Sequence, residues 1–366
     1  MDIRHLIDIS DFTVEEVNNL VATAEDIMKN GDKYANMCKG KKLATLFFEP
    51  STRTRLSFEA AMYELGGNVL GFSSASASST TKGESIMDTI RTVGNYVDII
   101  AMRHPMAGAA LAGATSSTVP IVNAGDGGHC HPTQTLADVL TIKNKKGRLD
   151  NLTIGICGDL KYGRTVHSLI NAMSRYPNNK FVLISPPELS VPNYVIYEIL
   201  QPRKAKYTFS DNIEDVIANL DILYMTRIQK ERFADLNEYN RLKDCFVLNK
   251  EKMQNAKEDM CVLHPLPRVK EISVDVDADP RACYFDQVAN GKYMRMALIL
   301  KLLEDAKNGY CHKPQRELAK VDCVCKNPKC ITTVESDLPQ KFSLRDETHK
   351  VYRCEYCEKK NRDLLD

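Results

Sequence analysis

Residues 42–55 read Lys-Leu-Ala-Thr-Leu-Phe-Phe-Glu-Pro-Ser-Thr-Arg-Thr-Arg, and the rest of the chain is read outward from this stretch. Its first seven residues form an apolar run of strand length, and a helical pattern takes over at 56–65. Ser51 and Thr52 therefore fall at a helix start, where backbone N–H groups lack partners and the helix dipole favours an anion. The hydroxyls of Ser51, Thr52 and Thr54 and the guanidinium of Arg53 add side-chain donors to the same spot, a set that suits a phosphate. A plain N-cap followed by surface arginines would use the same letters, because Ser and Thr are common caps.

The strand-then-helix alternation continues on both sides. Upstream, Thr13 to Glu16 is a capping box, and Val17, Leu20, Val21, Ala24, Ile27 and Met28 follow at helical spacing up to a stop at Gly31. Downstream, strands are predicted at 97–103, 119–124, 152–158, 181–185, 222–225 and 261–263. Helices are predicted at 86–96, 135–143, 165–176, 213–219 and 286–307. Short apolar runs between amphipathic helices argue for α/β architecture with parallel sheets covered on both faces. The roughly 310 residues before a terminal cysteine cluster suffice for two doubly wound domains. The expected organisation is a first domain over 1–133 joined by a returning helix at 286–310, a second over 134–285, a linker over 311–322 and a small β-domain over 323–366.

Residues 71–83, Gly-Phe-Ser-Ser-Ala-Ser-Ala-Ser-Ser-Thr-Thr-Lys-Gly, have neither apolar period. Composition alone gives a flexible loop, while Lys82 near its end favours a mobile lid that delivers a cation. Gly155, Gly158 and Gly163 lack the G-x-G-x-x-G spacing of a dinucleotide site. A net charge of +1 supplies no field for nucleic acid or an anionic membrane. Asp2, Arg4 and Asp8 break any signal-peptide core, and no run approaches the roughly 18 apolar residues of a membrane span. A reducing, cytoplasmic setting is expected.

In that setting the cysteines point to metal. Seven of the twelve are scattered, but Cys323, Cys325, Cys330, Cys354 and Cys357 crowd the end. Cys325-x4-Cys330 and Cys354-x2-Cys357 form a four-thiolate pattern suited to one tetrahedral structural zinc, with Cys323 left over. So short a segment cannot bury a sufficient core, so its folding should depend on the metal. A nucleic-acid ribbon is disfavoured, since residues 311–366 hold 12 Lys and Arg against 10 Asp and Glu.

The run Ser51-Thr-Arg-Thr-Arg55 resembles the carbamoyl-phosphate signature of the aspartate and ornithine carbamoyltransferases. Arg103-His-Pro, His131-Pro-Thr-Gln134 and His264-Pro-Leu-Pro-Arg268 follow in that family's order, so the resemblance spans about residues 1–310. It implies that Ser51, Thr52, Arg53 and Thr54 hold the phosphate of carbamoyl phosphate. Arg103 would bridge phosphate and carbonyl oxygen, His131 would donate to that oxygen, and Gln134 would bind the carbamoyl amine. Ser78 and Lys82 match a loop that, in the family, reaches into a neighbouring subunit, implying a homotrimer with shared sites. Leu266 and Pro267 match a loop whose carbonyls touch substrate across a cis bond.

Charge separates the two amine acceptors: aspartate brings two carboxylates, ornithine an ammonium. Arg164 with Thr165, and Arg227 with Gln229, follow predicted strand ends, where ligands collect in open α/β sheets. The two arginines can clamp two carboxylates. Pro265 stands where the ornithine enzymes have cysteine, so the resemblance implies aspartate and the committed step towards pyrimidines. The terminal segment resembles the zinc domain of the aspartate carbamoyltransferase regulatory chain. The residues between 307 and 323 are too few for the nucleotide-binding domain that precedes it there.

Overall fold

The computed structural model describes residues 3–228, 235–242, 245–310, 318, 319, 321, 323–347 and 351–361. The chain forms two compact units, Met1–Thr133 with Lys292–Asp366, and Gln134–Gly291.

The first unit contains α1 (Val14–Lys29), α2 (Gly31–Tyr34), β1 (Lys42–Phe47), α3 (Thr52–Glu64), β2 (Asn68–Phe72), α4 (Ile86–Gly94), β3 (Ile99–His104), α5 (Ala109–Ala114) and β4 (Ile121–Asp126). The capping box of α1 is present as read, with Thr13 and Glu16 satisfying each other's backbone N–H groups. The strands form a parallel sheet in the order β2-β1-β3-β4. Leu43, Leu46, Ile99, Ile100, Ile121 and Val122 are all buried, as strands covered on both faces require.

The helix α6 (Pro132–Lys146) leads into the second unit. There follow β5 (Thr153–Cys157), α7 (Arg164–Met173), β6 (Lys180–Ile184), β7 (Lys206–Ser210), β8 (Ile222–Met225), α8 (Leu236–Leu242), α9 (Lys250–Met253), β9 (Cys261–Leu263) and α10 (Tyr284–Lys307). Its sheet is again parallel, in the order β7-β6-β5-β8-β9. The unit boundary, between Gly291 and Lys292, falls inside α10.

The structure departs from the sequence pattern in several details. The helix expected at 213–219 is only a 3-10 turn at Ile217–Asn219. The 71–83 loop begins inside β2 and holds two further 3-10 turns, Ala75–Ala77 and Ser79–Lys82. The edge strands β2 and β7, and α5, were not read from the sequence. Gln229 and most of the 311–322 stretch lie outside the described residues.

The cysteine-bearing segment adds β10 (Phe342–Asp346), β11 (Val351–Cys354) and β12 (Lys360–Asn361) in an antiparallel sheet. It packs on its own chain within the first unit. The Ala107 N–H donates to the Lys329 carbonyl and the Ile331 N–H donates to the Ala107 carbonyl, both at 2.9 Å. Ile331, Leu338, Phe342 and Tyr356 share one apolar cluster with Ile86, Ile90, Ala109 and Ala112. Gly108 is required at this seam. Its φ is +82°, and a Cβ there would lie 2.4 Å from both the Cβ and the carbonyl oxygen of Tyr356.

Candidate active site and metal centre

In the parallel sheet of the first unit each strand runs, at its carboxyl end, into one of the segments singled out by sequence. β1 leads to Ser51, β2 to the Ser78 and Lys82 loop, β3 carries Arg103, and β4 leads to His131. The parallel order brings these ends to one edge of the sheet, where open α/β folds bind ligands.

Ser51 is the N-cap of α3, extended, and its hydroxyl makes no cap bond to the helix backbone. It instead donates to the Thr54 hydroxyl at 3.1 Å. The first N–H groups of α3 are thus left for another acceptor. Arg103 pairs with Phe47 across the β1–β3 register, and the Phe48 N–H donates to the Arg103 carbonyl at 2.9 Å. Its side chain is 12% exposed and its guanidinium reaches Glu49 at 2.7 Å, while its Nε is buried without a hydrogen-bond partner. Burial, and then the positive charge of Arg103, push the Arg53 pKa down. Burial also lowers that of Arg103, with Glu49 acting against it. Two crowded guanidiniums, one with an unused buried donor, call for an added anion. Arg55 is turned to another task, an ion pair with Glu59 at 2.7 Å. Glu49 stands inside the quoted motif, yet no spacing rule revealed its ion pair.

His131 is buried, with its Nδ1 3.4 Å from the Thr133 hydroxyl. The loop before it is held by Asp126, whose carboxylate accepts from the Gly108 N–H (2.7 Å), the Asn123 amide (2.9 Å) and the Cys130 N–H (3.2 Å). Burial alone would push the His129 imidazole down, but Asp126 at 3.0 Å outweighs it and lifts the pKa to about 9. Asp126, His129 and Cys130 lie close enough to hold a metal. The Cys130 thiol, however, donates to the Ile7 carbonyl at 3.1 Å, and Asp126 is committed to its donors, so this is a structural network. Ser78 donates to the Ala75 carbonyl at 2.8 Å, and Lys82 is exposed.

In the second unit, adjacent strands β5, β8 and β9 present Arg164, Arg227 and the Leu266-Pro267 loop from their carboxyl ends. Arg164 and Thr165 open α7, and Arg164 and Arg227 are both partly buried. Gly158, at φ +119°, lets the two arginine-bearing loops meet: a Cβ there would lie 2.3 Å from the Thr226 carbonyl oxygen. The Thr226 hydroxyl accepts from the Asp159 N–H at 3.1 Å, completing the clasp. His167, one turn into α7, binds the Leu160 carbonyl at 2.7 Å and the Tyr194 hydroxyl at 2.8 Å, and burial pushes its pKa down to about 4. Leu266-Pro267 is cis. The His264 ring positions that loop, accepting from the Leu266 N–H at 2.8 Å and meeting Glu271 at 2.8 Å. Gln134, in the first turn of α6, donates to Asp138 at 2.8 Å. The Gly158–Thr226 clasp joins residues far apart in sequence and left no local signal.

The sulfurs of Cys325, Cys330, Cys354 and Cys357 all lie within 4.8 Å of one another. Cys325 to Cys357 is 3.6 Å and Cys330 to Cys354 is 3.9 Å. A tetrahedron with metal–sulfur bonds of about 2.3 Å has edges of about 3.8 Å, whereas a disulfide would need about 2.05 Å. The four thiols fit a tetrahedral metal ion.

Three family models match the chain in order. The carbamoyl-phosphate-binding domain of aspartate/ornithine carbamoyltransferases matches residues 4–144, and the Asp/Orn-binding domain matches residues 150–302. The metal-binding domain of the aspartate carbamoyltransferase regulatory chain matches residues 316–363. An aspartate carbamoyltransferase catalytic subunit from Clostridium novyi is 63% identical over 300 residues, 82% of this chain and 98% of that one. The chain belongs to the aspartate carbamoyltransferases. Two solved aspartate carbamoyltransferases share its fold. The catalytic subunit of M. jannaschii aspartate transcarbamoylase is 45% identical with a TM-score of 0.77, covering 83% of this chain and 99% of that one. The Trypanosoma cruzi enzyme in complex with carbamoyl phosphate and aspartate is 38% identical with a TM-score of 0.77, covering 82% and 96%. The carbamoyltransferase body is thus a transferase, with a regulatory-type metal module added to it.

Proposed function

We propose that this transferase moves the carbamoyl group of carbamoyl phosphate to the α-amino nitrogen of L-aspartate, giving N-carbamoyl-L-aspartate and phosphate. The amine attacks the carbonyl carbon, the bond from that carbon to the bridging oxygen breaks, and phosphate leaves with the proton that the amine loses. Ser51, Thr52, Arg53 and Thr54 hold the phosphate, with Lys82 reaching it from the lid. Arg103 and His131 donate to the carbonyl oxygen as negative charge builds there, which lowers the barrier. Gln134 and the carbonyls of Leu266 and Pro267 orient the carbamoyl amine. Arg164, Thr165, Arg227 and Gln229 receive the two carboxylates of aspartate.

The observation that carries this reading is the pair Arg53 and Arg103, whose charges act on each other at the start of α3 while Glu49 pairs with Arg103 alone. The T. cruzi relative solved with carbamoyl phosphate and aspartate supports the substrate pair. The active assembly is a homotrimer in which the lid acts on a neighbour, the ion on the four thiolates is one structural zinc per chain, and the setting is the reducing cytoplasm. Among the described residues no helix is long and apolar enough to cross a membrane. The deciding assay is phosphate release from carbamoyl phosphate with aspartate, with ornithine, and with neither. Release must require aspartate; release with ornithine alone would overturn the assignment.

A further inference from the structure

The metal module reaches the downstream end of the lid. α4 starts at Ile86, four residues after Lys82, with Ser85 as its N-cap accepting from the Asp88 N–H at 3.1 Å. That cap leaves the Ile86 N–H, which donates to the Glu335 carboxylate of the metal module at 2.9 Å. Glu335 is itself fixed by the turn that begins at the metal ligand Cys330, because its own N–H donates to the Ile331 carbonyl at 2.9 Å. Side chains strengthen the joint: Ile86 and Ile90 of α4 pack in the cluster that holds Ile331 and Leu338. A carboxylate at a helix start also gains from the helix dipole.

Upstream of this joint the chain changes character. Glu84 is held by the Thr89 hydroxyl at 2.8 Å. Gly83, by contrast, has φ +89° and nothing within 4 Å of where a Cβ would sit. The lid therefore meets its anchor at one open glycine, directly after Lys82.

We propose that Glu335 is a positioning residue for the lid, fixing from the metal module the pivot from which Lys82 reaches the phosphate. This rests on the reading of Lys82 as a phosphate ligand. Losing the Glu335 contact loosens the pivot while leaving the donors at Ser51–Thr54 and the aspartate arginines in place. The effect then falls on carbamoyl phosphate and acts through Lys82.

The test is a double-mutant cycle in the full chain, with metal content measured for every variant. Glu335→Ala should raise the KM for carbamoyl phosphate at least about ten-fold, the size expected for one charge-assisted hydrogen bond, with little change in kcat and unchanged metal content. Glu335→Gln, whose amide oxygen still accepts from Ile86, should recover most of that loss. In a Lys82→Gln background, which itself raises KM, Glu335→Ala should add nothing. An unchanged KM in Glu335→Ala, or an equal loss in both backgrounds, would overturn the proposal. A Lys82→Gln enzyme with the parent's KM would overturn it by a different route, by removing the lid reading on which it stands.

Discussion

Gly108→Ala should unseat the metal module without touching either the metal or the substrate-binding side chains. The new methyl group meets the Tyr356 Cβ and carbonyl oxygen at 2.4 Å and the carbonyl carbon at 2.7 Å, where carbon atoms ordinarily stop at about 3.5 Å. Two costs arise and they separate. The left-handed backbone at φ +82° costs roughly 1–2 kcal/mol for an L-residue, whether or not the module is docked. The clash costs about 1–3 kcal/mol, as overpacking does, and only while the module is docked. Relieving it means moving Tyr356 by about an ångström, against the two 2.9 Å bonds that Ala107 makes to Lys329 and Ile331. Hydrogen exchange at the Ile331 amide reads the docked fraction alone, so its protection should fall by about 5- to 150-fold, the clash converted at 1.4 kcal/mol per decade. The backbone cost should appear instead in the overall urea midpoint. Undiminished protection at Ile331 would refute the seam described here.

Arg227→Ala should raise the KM for aspartate by at least about ten-fold, the loss of a charge-assisted pair, while the KM for carbamoyl phosphate stays within two-fold; steady-state kinetics in both substrates checks this. His167 is neutral when folded, with a pKa of about 4, against about 6.5 when unfolded. Below pH 6.5 the unfolded chain binds a proton that the folded one refuses, so stability falls from pH 6.5 towards 4. His167→Gln should therefore lose less of its urea midpoint between pH 7 and 5 than the parent does. Stripping the metal with a strong chelator should open proteolytic sites within 323–361 while the second unit, Gln134–Gly291, keeps its protection, as peptide mapping would show.

The fully buried strands were legible because each is a continuous apolar run: β8 and β9 stand at the 222–225 and 261–263 that the pattern predicts. The edge strands β2 and β7 escaped for the opposite reason. Asn68–Phe72 and Lys206–Ser210 are half-exposed, and Gly71 or polar residues interrupt them, so neither period shows. The stretch at 213–219 has helical spacing at Ile213, Val216 and Ile217, but only its last turn closes before β8. At the site, the donors of Ser51–Thr54 were readable because local helix-start chemistry puts them together. Glu49 and Thr226 were not, since each acts through a partner that only the fold brings near. The seat of the metal module was equally hidden: four cysteines announce a metal, but nothing in their spacing points to Ala107, Gly108 or Ile86.

Calorimetric titration with N-(phosphonacetyl)-L-aspartate, which joins a phosphonate to the aspartate skeleton and has been seen in the T. cruzi relative, tests the central claim most directly. Tight binding to the parent should weaken by at least about a hundred-fold in both Arg53→Ala and Arg227→Ala. Phosphonoacetate, which lacks the aspartate, should lose affinity only in Arg53→Ala. Equal binding of either ligand by the parent and Arg53→Ala would contradict the account.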